Sequence, residues 1–254
     1  MDLGLTDRVY IVTGASRGLG WAAAEQLAAE GARLVLSSRS AEHLEERARS
    51  LGGADRALAV PGDLADPGLP GRLVASANAR YGRLDGALVS VGGPPPGGTG
   101  DLSDAQWKDA FESVFLGPLR LARAVVDATS IEGSSIVFVL STSVRMPIAG
   151  LAASNGIRPG LAMVAKTMAD EVGHRGIRVN ALLPGRIDTD RVRELDAGAD
   201  DPAESRRRSE ASIPLRRYGQ PGEFGRVATF LLSPAASYVT GTVLTVDGGA
   251  TRAL

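Results

Sequence analysis

Short runs of Val, Ile, Leu and Ala recur along the chain, separated by longer stretches in which apolar and charged residues mix at helical spacing. Near-continuous apolar runs are typical of strands buried on both faces, and the mixed stretches are typical of helices that cover a sheet. This pattern predicts strands at residues 8–14, 33–38, 56–63, 84–91, 134–141, 176–185 and 241–249. It predicts helices at residues 20–32, 41–51, 67–81, 104–128, 151–173 and 222–233.

The alternation of strand and helix predicts the fold class. Residues 1–254 are expected to form one α/β domain, a Rossmann-like doubly wound sheet of about seven parallel strands with helices on both faces. Ligands of such a sheet bind at the carboxyl ends of its strands. The segment 189–220 interrupts the pattern with dense mixed charge. It suits either a solvated surface excursion or a substrate lid, and both alternatives stay open.

Composition narrows the function classes. The chain contains no cysteine and only two histidines, so we expect no disulfide, no thiolate nucleophile, no metal site and no Ser-His-Asp triad. The net charge of −1 gives no field that would attract nucleic acid or an anionic membrane. The first residues carry no basic and apolar leader, and no apolar run approaches the length of about 18 residues that a membrane span needs. The composition predicts a soluble, cytoplasmic protein.

A glycine-rich turn, TGASRGLG at residues 13–20, joins the first predicted strand to the first predicted helix. Gly14, Gly18 and Gly20 would let the backbone approach a pyrophosphate at the helix N-terminus, where free N–H groups and the helix dipole favour an anion. The spacing is G-x-x-x-G-x-G and differs from the general dinucleotide fingerprint G-x-G-x-x-G. The position of the turn between strand and helix predicts a dinucleotide site.

Three motifs carry a resemblance that covers the whole chain. The turn at 13–20, the segment GIRVNALLPGRIDT at 176–189 and the segment 217–249 resemble the signatures of the short-chain dehydrogenase/reductase family, in particular its 3-oxoacyl-(acyl carrier protein) reductase-like members. The resemblance implies an oxidoreductase that binds a nicotinamide dinucleotide and a small-molecule substrate. It also implies a homo-oligomer, a tetramer or dimer, formed through helices 104–128 and 151–173 and through the C-terminal strand.

The resemblance also implies which residues bind the cofactor. These residues are Gly14, Ser16, Arg17, Gly18, Leu19, Gly20, Arg39, Asp63, Leu64, Ser90, Gly92, Arg158, Pro184, Gly185, Ile187 and Thr189. Within this set, Asp63 and Leu64 would hold the adenine edge, and those from 184 to 189 would line the carboxamide and the diphosphate. An NAD site would place a carboxylate after the second strand to bond the ribose 2′-hydroxyl. This chain has Ser38 and Arg39 there, and Arg39 with Arg17 would pair with a 2′-phosphate, so the sequence favours NADP(H) over NAD(H).

The reaction site departs from the family pattern. Family members use an Asn, a Ser, and a Tyr that precedes a Lys by four residues. Counted without gaps from the motif at 176–189, the Tyr position falls on Ser154 and the Lys position on Arg158. Ser141 keeps the family serine, and Val114 replaces the asparagine. The predicted catalytic residues are therefore Ser141, Ser154 and Arg158. Of the four tyrosines, at 10, 81, 218 and 238, none falls within the predicted catalytic strand and helix.

This replacement changes the available chemistry. A phenol can be tuned into a general acid, whereas a serine hydroxyl is a far poorer proton donor and an arginine acts as a fixed cation. Ser154 and Arg158 would share a helix face, although Pro159 predicts a late start or a kink of that helix. Three functions remain open: an NADP(H)-dependent oxidoreductase with an atypical site, a non-catalytic NADP(H)-binding sensor or assembly protein, and a lyase or isomerase that uses Arg158 as an anion clamp.

Overall fold

Seven parallel strands form one sheet in the computed structural model of the protein, which describes residues 2–129, 133–198 and 201–253. The strands are β1 Val9–Thr13, β2 Arg33–Ser37, β3 Ala57–Ala59, β4 Gly86–Ser90, β5 Ser135–Val139, β6 Arg178–Pro184 and β7 Val243–Val246. Their order across the sheet is β3-β2-β1-β4-β5-β6-β7. The winding therefore reverses between β1 and β4, and the doubly wound α/β fold expected from the sequence is confirmed.

Helices cover both faces of this sheet. Their bounds are α1 Gly18–Ala29, α2 Ala41–Ser50, α3 Leu69–Tyr81, α4 Asp104–Phe111, α5 Gly117–Ala128, α6 Ala152–Val172, α7 Asp190–Ala197, α8 Pro202–Ser212 and α9 Pro221–Leu232. Buried side chains of α3, α5 and α6 form the core on one face, and those of α1, α2 and α9 form the core on the other. Ile11 of β1 faces the first core, whereas Tyr10 and Val12 face the second, which is why the strands read as continuous apolar runs.

The segment predicted as one helix at 104–128 is interrupted by a π-helical turn, Glu112–Leu116, between α4 and α5. Pro118 has no N–H and cannot supply the usual helical hydrogen bond to the carbonyl of Val114. At Gly117 a Cβ would lie 2.4 Å from the carbonyl oxygen of Leu64, so the chain passes very close there. The predicted helical segment 104–128 is confirmed in its bounds, and the π-helical turn inside it was not predicted because hydrophobic periodicity does not register either constraint.

The helix α6 begins at Ala152, ahead of Ser154, and includes Pro159. The predicted late start is therefore wrong. The side chain of Asn155 fixes the beginning of the helix to the preceding loop, because it accepts from the backbone N–H of Ile148 at 3.0 Å and donates to the carbonyl of Ile148 at 2.8 Å. These two bonds keep Ser154 and Arg158 in the same helix, and both are buried.

The charged segment at 189–220 contains α7 and α8, which carry ion pairs along their surfaces, such as those of Glu204 with Arg207 and Arg208. Among the described residues, no helix is long and apolar enough to cross a membrane.

Candidate functional site

The glycine turn lies at the carboxyl end of β1 and begins α1. Gly14 and Gly18 have φ angles of 61° and 62°, which a residue with a side chain rarely adopts. A Cβ on Gly20 would come 2.4 Å from the carbonyl oxygen of Gly14. By contrast, the nearest atom to a Cβ on Gly18 would be Cγ2 of Thr189, at 3.8 Å, so space is left on that side of the turn. The turn therefore forms a cradle between β1 and the loop after β6.

The N-terminus of α1 is free to bind an anion. Arg17 occupies the N-cap position and makes no capping hydrogen bond, and the first turn holds no acidic residue. The first N–H groups of the helix thus lack a side-chain acceptor, and the helix dipole adds partial positive charge at the same place. Together with the space beside Gly18, these groups fit the pyrophosphate of a dinucleotide.

The ends of β1 and β4 are joined beside this cradle. The hydroxyl of Thr13 donates to the carbonyl of Ser90 at 2.7 Å and accepts from the N–H of Ser90 at 2.9 Å. Gly92, which follows, is exposed and would meet no atom within 4 Å if it carried a Cβ. Ser90 and Gly92 therefore border the open side of the switch point between β1 and β4.

Basic side chains surround the outer side of the turn. Arg17 is exposed and lies 3.6 Å from a carboxylate oxygen of Glu194 in α7. Arg39 is exposed, and no ion pair reaches it within the described part of the chain. The sequence did not single out Arg47 of α2, whose Nε donates to the carbonyl of Ser16 at 3.2 Å. The hydrophobic pattern places Arg47 only in the predicted helix at 41–51, and the folded structure brings it to the turn.

The other residues predicted to bind the cofactor also lie near the carboxyl ends of the strands. Asp63 accepts the N–H of Ala65 at 3.0 Å, and Leu64 is buried. Gly185 donates to the carbonyl of Val246 at 3.0 Å and has no space for a Cβ, which would lie 2.5 Å from Cβ of Asp247. The remaining members of the set, which are half-buried or buried at the same edge, are Ser16, Leu19, Pro184, Ile187 and Thr189.

A buried cation marks the second half of the site. The side chain of Arg158 is 5% exposed, and its Nη1 donates to the carbonyl of Val139, at the end of β5, at 3.0 Å. Within the described residues no acidic side chain pairs with it. Burial lowers the pKa of Arg158 to about 10, so the guanidinium remains charged at neutral pH. A guanidinium carries five N–H donors, so most of them are free for a ligand.

Three serines form a short hydrogen-bonded chain beside this cation. The hydroxyls of Ser154 and Ser143 are 3.0 Å apart, and the N–H of Ser143 donates to the hydroxyl of Ser141 at 3.1 Å. The structure thus places Ser143 between the two serines that the sequence singled out. A cavity of about 230 Å³ opens next to Ser143, lined also by Val144, Arg145, Met146, Pro147, Asn155 and Pro159. The repeat Ser-x-Ser at 141–143 was the signal that could have pointed to Ser143.

The position that the resemblance assigned to asparagine holds Val114, which is buried inside the π-helical turn. It brings no polar side chain to the site. Among the described residues, no group of histidine, cysteine, aspartate and glutamate side chains could hold a metal ion.

The tyrosines are engaged elsewhere. The hydroxyl of Tyr10 donates to the carbonyl of Leu232, and that of Tyr81 donates to the carbonyl of Ala54. Tyr218 lies near the end of the charged segment 189–220. It is buried, and its hydroxyl lies 3.0 Å from a carboxylate oxygen of Asp196. Burial raises the pKa of Tyr218. Tyr238 is fully exposed.

The contacts of Tyr218 hold the two helices of the segment 189–220 together, and Arg186 joins them to the loop after β6. Asp196 of α7 also accepts from Arg186 at 3.0 Å, and the guanidinium of Arg206 of α8 stacks over the Tyr218 ring at 4.6 Å. Both helices of the segment are therefore tied to one buried side chain.

Comparison with known proteins agrees with this architecture. A family model described as "Enoyl-(Acyl carrier protein) reductase" matches residues 14–251. An uncharacterized oxidoreductase of Mycobacterium tuberculosis is 36% identical over 97% of this chain and 93% of its own length. The human dehydrogenase/reductase SDR family member 4 is 32% identical over 96% of this chain and 88% of its own length, and a levodione reductase of Leifsonia aquatica is 35% identical over 98% and 96%.

Solved structures show the same fold over the full length. The crystal structure of L-sorbose reductase from Gluconobacter frateurii, complexed with NADPH and L-sorbose, superposes with a TM-score of 0.92. Its sequence is 31% identical, and the match covers 100% of both chains. A short-chain dehydrogenase/reductase of Brucella melitensis also matches with a TM-score of 0.92, at 30% identity.

Proposed function

This chain belongs to the short-chain dehydrogenase/reductase family of oxidoreductases, and we propose that it is an NADP(H)-dependent member that acts on a carbonyl or hydroxyl group of a small molecule through an atypical reaction site. One observation carries the proposal. The glycine cradle and the buried Ser154–Arg158 pair lie at the same edge of the sheet, so a dinucleotide in the cradle would extend towards Arg158.

The charge around the cradle favours NADP(H). Arg17 and Arg39 flank it, and no acidic residue follows β2 at positions 38–40 to repel a 2′-phosphate. The related L-sorbose reductase is solved with NADPH. We propose the residues predicted from the sequence as the cofactor contacts, with the turn at 14–20 holding the diphosphate and the loop at 184–189 lining the nicotinamide. NADPH, when bound, supplies a hydride, and NADP⁺ accepts one.

The reaction site is proposed to lack the tyrosine and lysine that family members use. Ser154 and Arg158 occupy those positions, and the phenols of Tyr10, Tyr81 and Tyr218 are hydrogen-bonded elsewhere. A serine hydroxyl does not ionise at neutral pH and cannot replace a tuned phenol, whose loss removes a factor of about 10²–10⁴ in rate. Ser154, held by Ser143, would therefore orient the substrate oxygen by a hydrogen bond, and the proton would come from water or from the substrate itself.

Arg158 is proposed to bind the ribose next to the nicotinamide or an anionic group of the substrate. Its single carbonyl partner leaves donors free, and its charge has no acidic partner in the described residues. The same feature favours a second candidate function, a lyase or isomerase in which Arg158 holds an anion without net redox chemistry. An anion from the ligand would supply the counterion that this buried cation lacks among the described residues.

A fluorescence titration with NADPH, followed by absorbance assays with ketones, imines and oxoacyl thioesters, tests the proposal. We expect NADPH to bind more tightly than NADH and to be oxidised slowly with at least one substrate class. Tight binding without oxidation across the panel would indicate a non-catalytic NADP(H)-binding sensor or assembly protein. Product formation without a change in cofactor absorbance would indicate the lyase or isomerase.

Assembly and location form a second part of the proposal. We propose a homo-oligomer, because apolar side chains remain exposed on the helices and the edge strand that the family uses for contacts. Phe111 at the end of α4 is 43% exposed, Met163 of α6 is 68% exposed and Leu244 of β7 is 40% exposed. Light scattering would measure the oligomeric state directly, with a monomer contradicting the proposal.

We also propose that the segment 189–220 is a substrate lid and that the protein is located in the cytoplasm.

A further inference from the structure

The outer side of the glycine turn holds a third arginine, Arg47, that the sequence motif does not include. It lies in the last turn of α2, far from the motif along the chain. Its Nε donates to the carbonyl of Ser16 at 3.2 Å, in the middle of the turn, and its Cζ lies over the ring of Trp21, 4.4 Å from the ring centroid. Trp21 belongs to α1, so Arg47 bridges the turn, the first helix and the second helix.

The mode of attachment leaves the end of this guanidinium available. Nε and one face are used by the protein, while Nη1 and Nη2 have no hydrogen bond or ion pair among the described residues. Arg47 is half-buried, and the stacked ring limits the rotamers that it can adopt. Donors fixed in advance bind an anion at a lower entropic cost than donors on a mobile side chain.

The other two arginines at this place are held less firmly. Arg17 is 64% exposed in its side chain and faces Glu194 at 3.6 Å, and Arg39 is exposed after β2. The register pairs Thr13 with Ser37, which brings the turn after β1 next to the residues after β2. Arg47 reaches the same corner from α2 through its bond to Ser16. The three cations surround one corner of the cradle, and Arg47 is the one with fixed orientation.

We propose that Arg47 is a specificity-determining residue for the cofactor, a preorganised cation that favours the 2′-phosphate of NADP(H) over the 2′-hydroxyl of NAD(H). The inference rests on the proposed NADP(H)-dependent function and adds a residue to it. A purely structural clip between α2 and the turn is the competing explanation. A clip would affect ligands with and without the 2′-phosphate equally, whereas a specificity residue would affect only the former.

Two nucleotide fragments separate these explanations without any assay of turnover. Calorimetric titration with adenosine 2′,5′-bisphosphate and with 5′-AMP measures the contribution of the 2′-phosphate alone. For Arg47→Leu we expect about a tenfold or greater loss of affinity for the bisphosphate, the size of one charge-assisted hydrogen bond, and a change of less than about twofold for 5′-AMP. Arg47→Lys keeps the charge but loses the guanidinium that contacts Ser16 and Trp21. Its affinity for the bisphosphate should lie between that of the unmodified protein and that of Arg47→Leu.

The matched control is Arg49→Leu, which removes an exposed arginine from the same helix two residues further on. It should leave both affinities unchanged. Tryptophan fluorescence gives a second measurement, because the chain has only two tryptophans, Trp21 and Trp107. With Trp107→Phe as background, binding of the bisphosphate should change the emission of Trp21, and Arg47→Leu should remove that change.

The outcomes are distinct. If Arg47→Leu weakens both fragments equally, or matches Arg49→Leu, the specificity role of Arg47 is wrong while the NADP(H) preference stands. If the unmodified protein binds the two fragments with equal affinity, the NADP(H) preference itself fails, and the role of Arg47 fails with it.

Discussion

Two arginines, Arg178 near the amino ends of the strands and Arg158 near their carboxyl ends, are buried to the same extent but have different hydrogen-bond partners. Arg178 and Arg158 are each 5% exposed. Arg178 begins β6, and its terminal nitrogens donate at 2.8 to 3.3 Å to four carbonyl oxygens, those of Leu231, Leu232, Ser233 and Val239. Arg158 donates to one carbonyl at the end of β5. Burial lowers the pKa of both.

We propose that the difference separates a structural cation, Arg178, from a ligand-binding one, Arg158. Buried donors in native proteins are normally satisfied, and Arg178 meets this rule by capping the free carbonyls at the end of α9. Arg158 has one protein acceptor among the described residues, which leaves other donors of its guanidinium for a ligand. Its spare donors lie at the carboxyl edge of the sheet, where a doubly wound fold binds its ligands. We therefore expect the two residues to respond oppositely to removal.

Removal of Arg178 should have the largest effect on stability. Arg178→Leu leaves four carbonyls, three of them buried, without this donor and should lower the free energy of unfolding by about 2–4 kcal/mol, measured by urea denaturation. Arg123→Leu, on an exposed position of α5, is the control and should change it by less than about 0.5 kcal/mol. Equal effects of the two variants would contradict the structural role of Arg178.

The glycine turn gives the next largest effect. A Cβ at residue 20 would lie 2.4 Å from the carbonyl of Gly14, so Gly20→Ala should cost about 1–3 kcal/mol of stability and weaken NADPH binding at least about tenfold. The matched control is Gly71, which is the third residue of α3 as Gly20 is the third residue of α1. A Cβ at residue 71 would meet no atom within 4 Å. Gly71→Ala should raise stability by about 0.5–1 kcal/mol and leave NADPH binding intact. A Gly20→Ala variant that binds NADPH normally would contradict the cradle.

Substitutions in the pair Ser143 and Ser154 should give the smallest effect, and this effect should be on turnover only. Loss of the hydrogen bond between the hydroxyls of Ser143 and Ser154 should raise the reaction barrier by about 0.5–1.5 kcal/mol, and Ser143→Ala should lower kcat accordingly without changing the NADPH affinity. In the Ser143→Ala/Ser154→Ala double variant the two losses should not add, because both remove the same contact. Additive losses would show that Ser143 acts independently of Ser154.

The glycine turn between β1 and α1 could be predicted from the sequence because it is built from backbone geometry. The φ angles of Gly14 and Gly18 and the tight packing at Gly20 follow from a local pattern at the end of an apolar strand. The doubly wound sheet of about seven parallel strands followed from the alternation of strands and helices along the chain.

The features that the sequence did not reveal depend on tertiary contacts. Arg47 reaches the turn only after α2 packs beside it, and the hydrophobic pattern places it only within the predicted helix at 41–51. Ser143 approaches Ser154 only because the loop after β5 folds back onto α6. The π-helical turn at Val114 arises from Pro118 and the close approach of Gly117 to Leu64, neither of which changes the hydrophobic pattern.

The most direct test compares Arg158→Leu with the unmodified protein in three measurements: NADPH affinity, turnover and free energy of unfolding. Because Arg158 has spare donors for a ligand and little compensation from the protein, its removal should weaken NADPH binding or abolish turnover. Stability should stay within about 1 kcal/mol or rise, since a buried cation is replaced by an apolar side chain. Arg158→Lys should retain part of the function. A variant that keeps full NADPH binding and turnover but loses stability as Arg178→Leu does would contradict the account, because Arg158 would then be a structural residue.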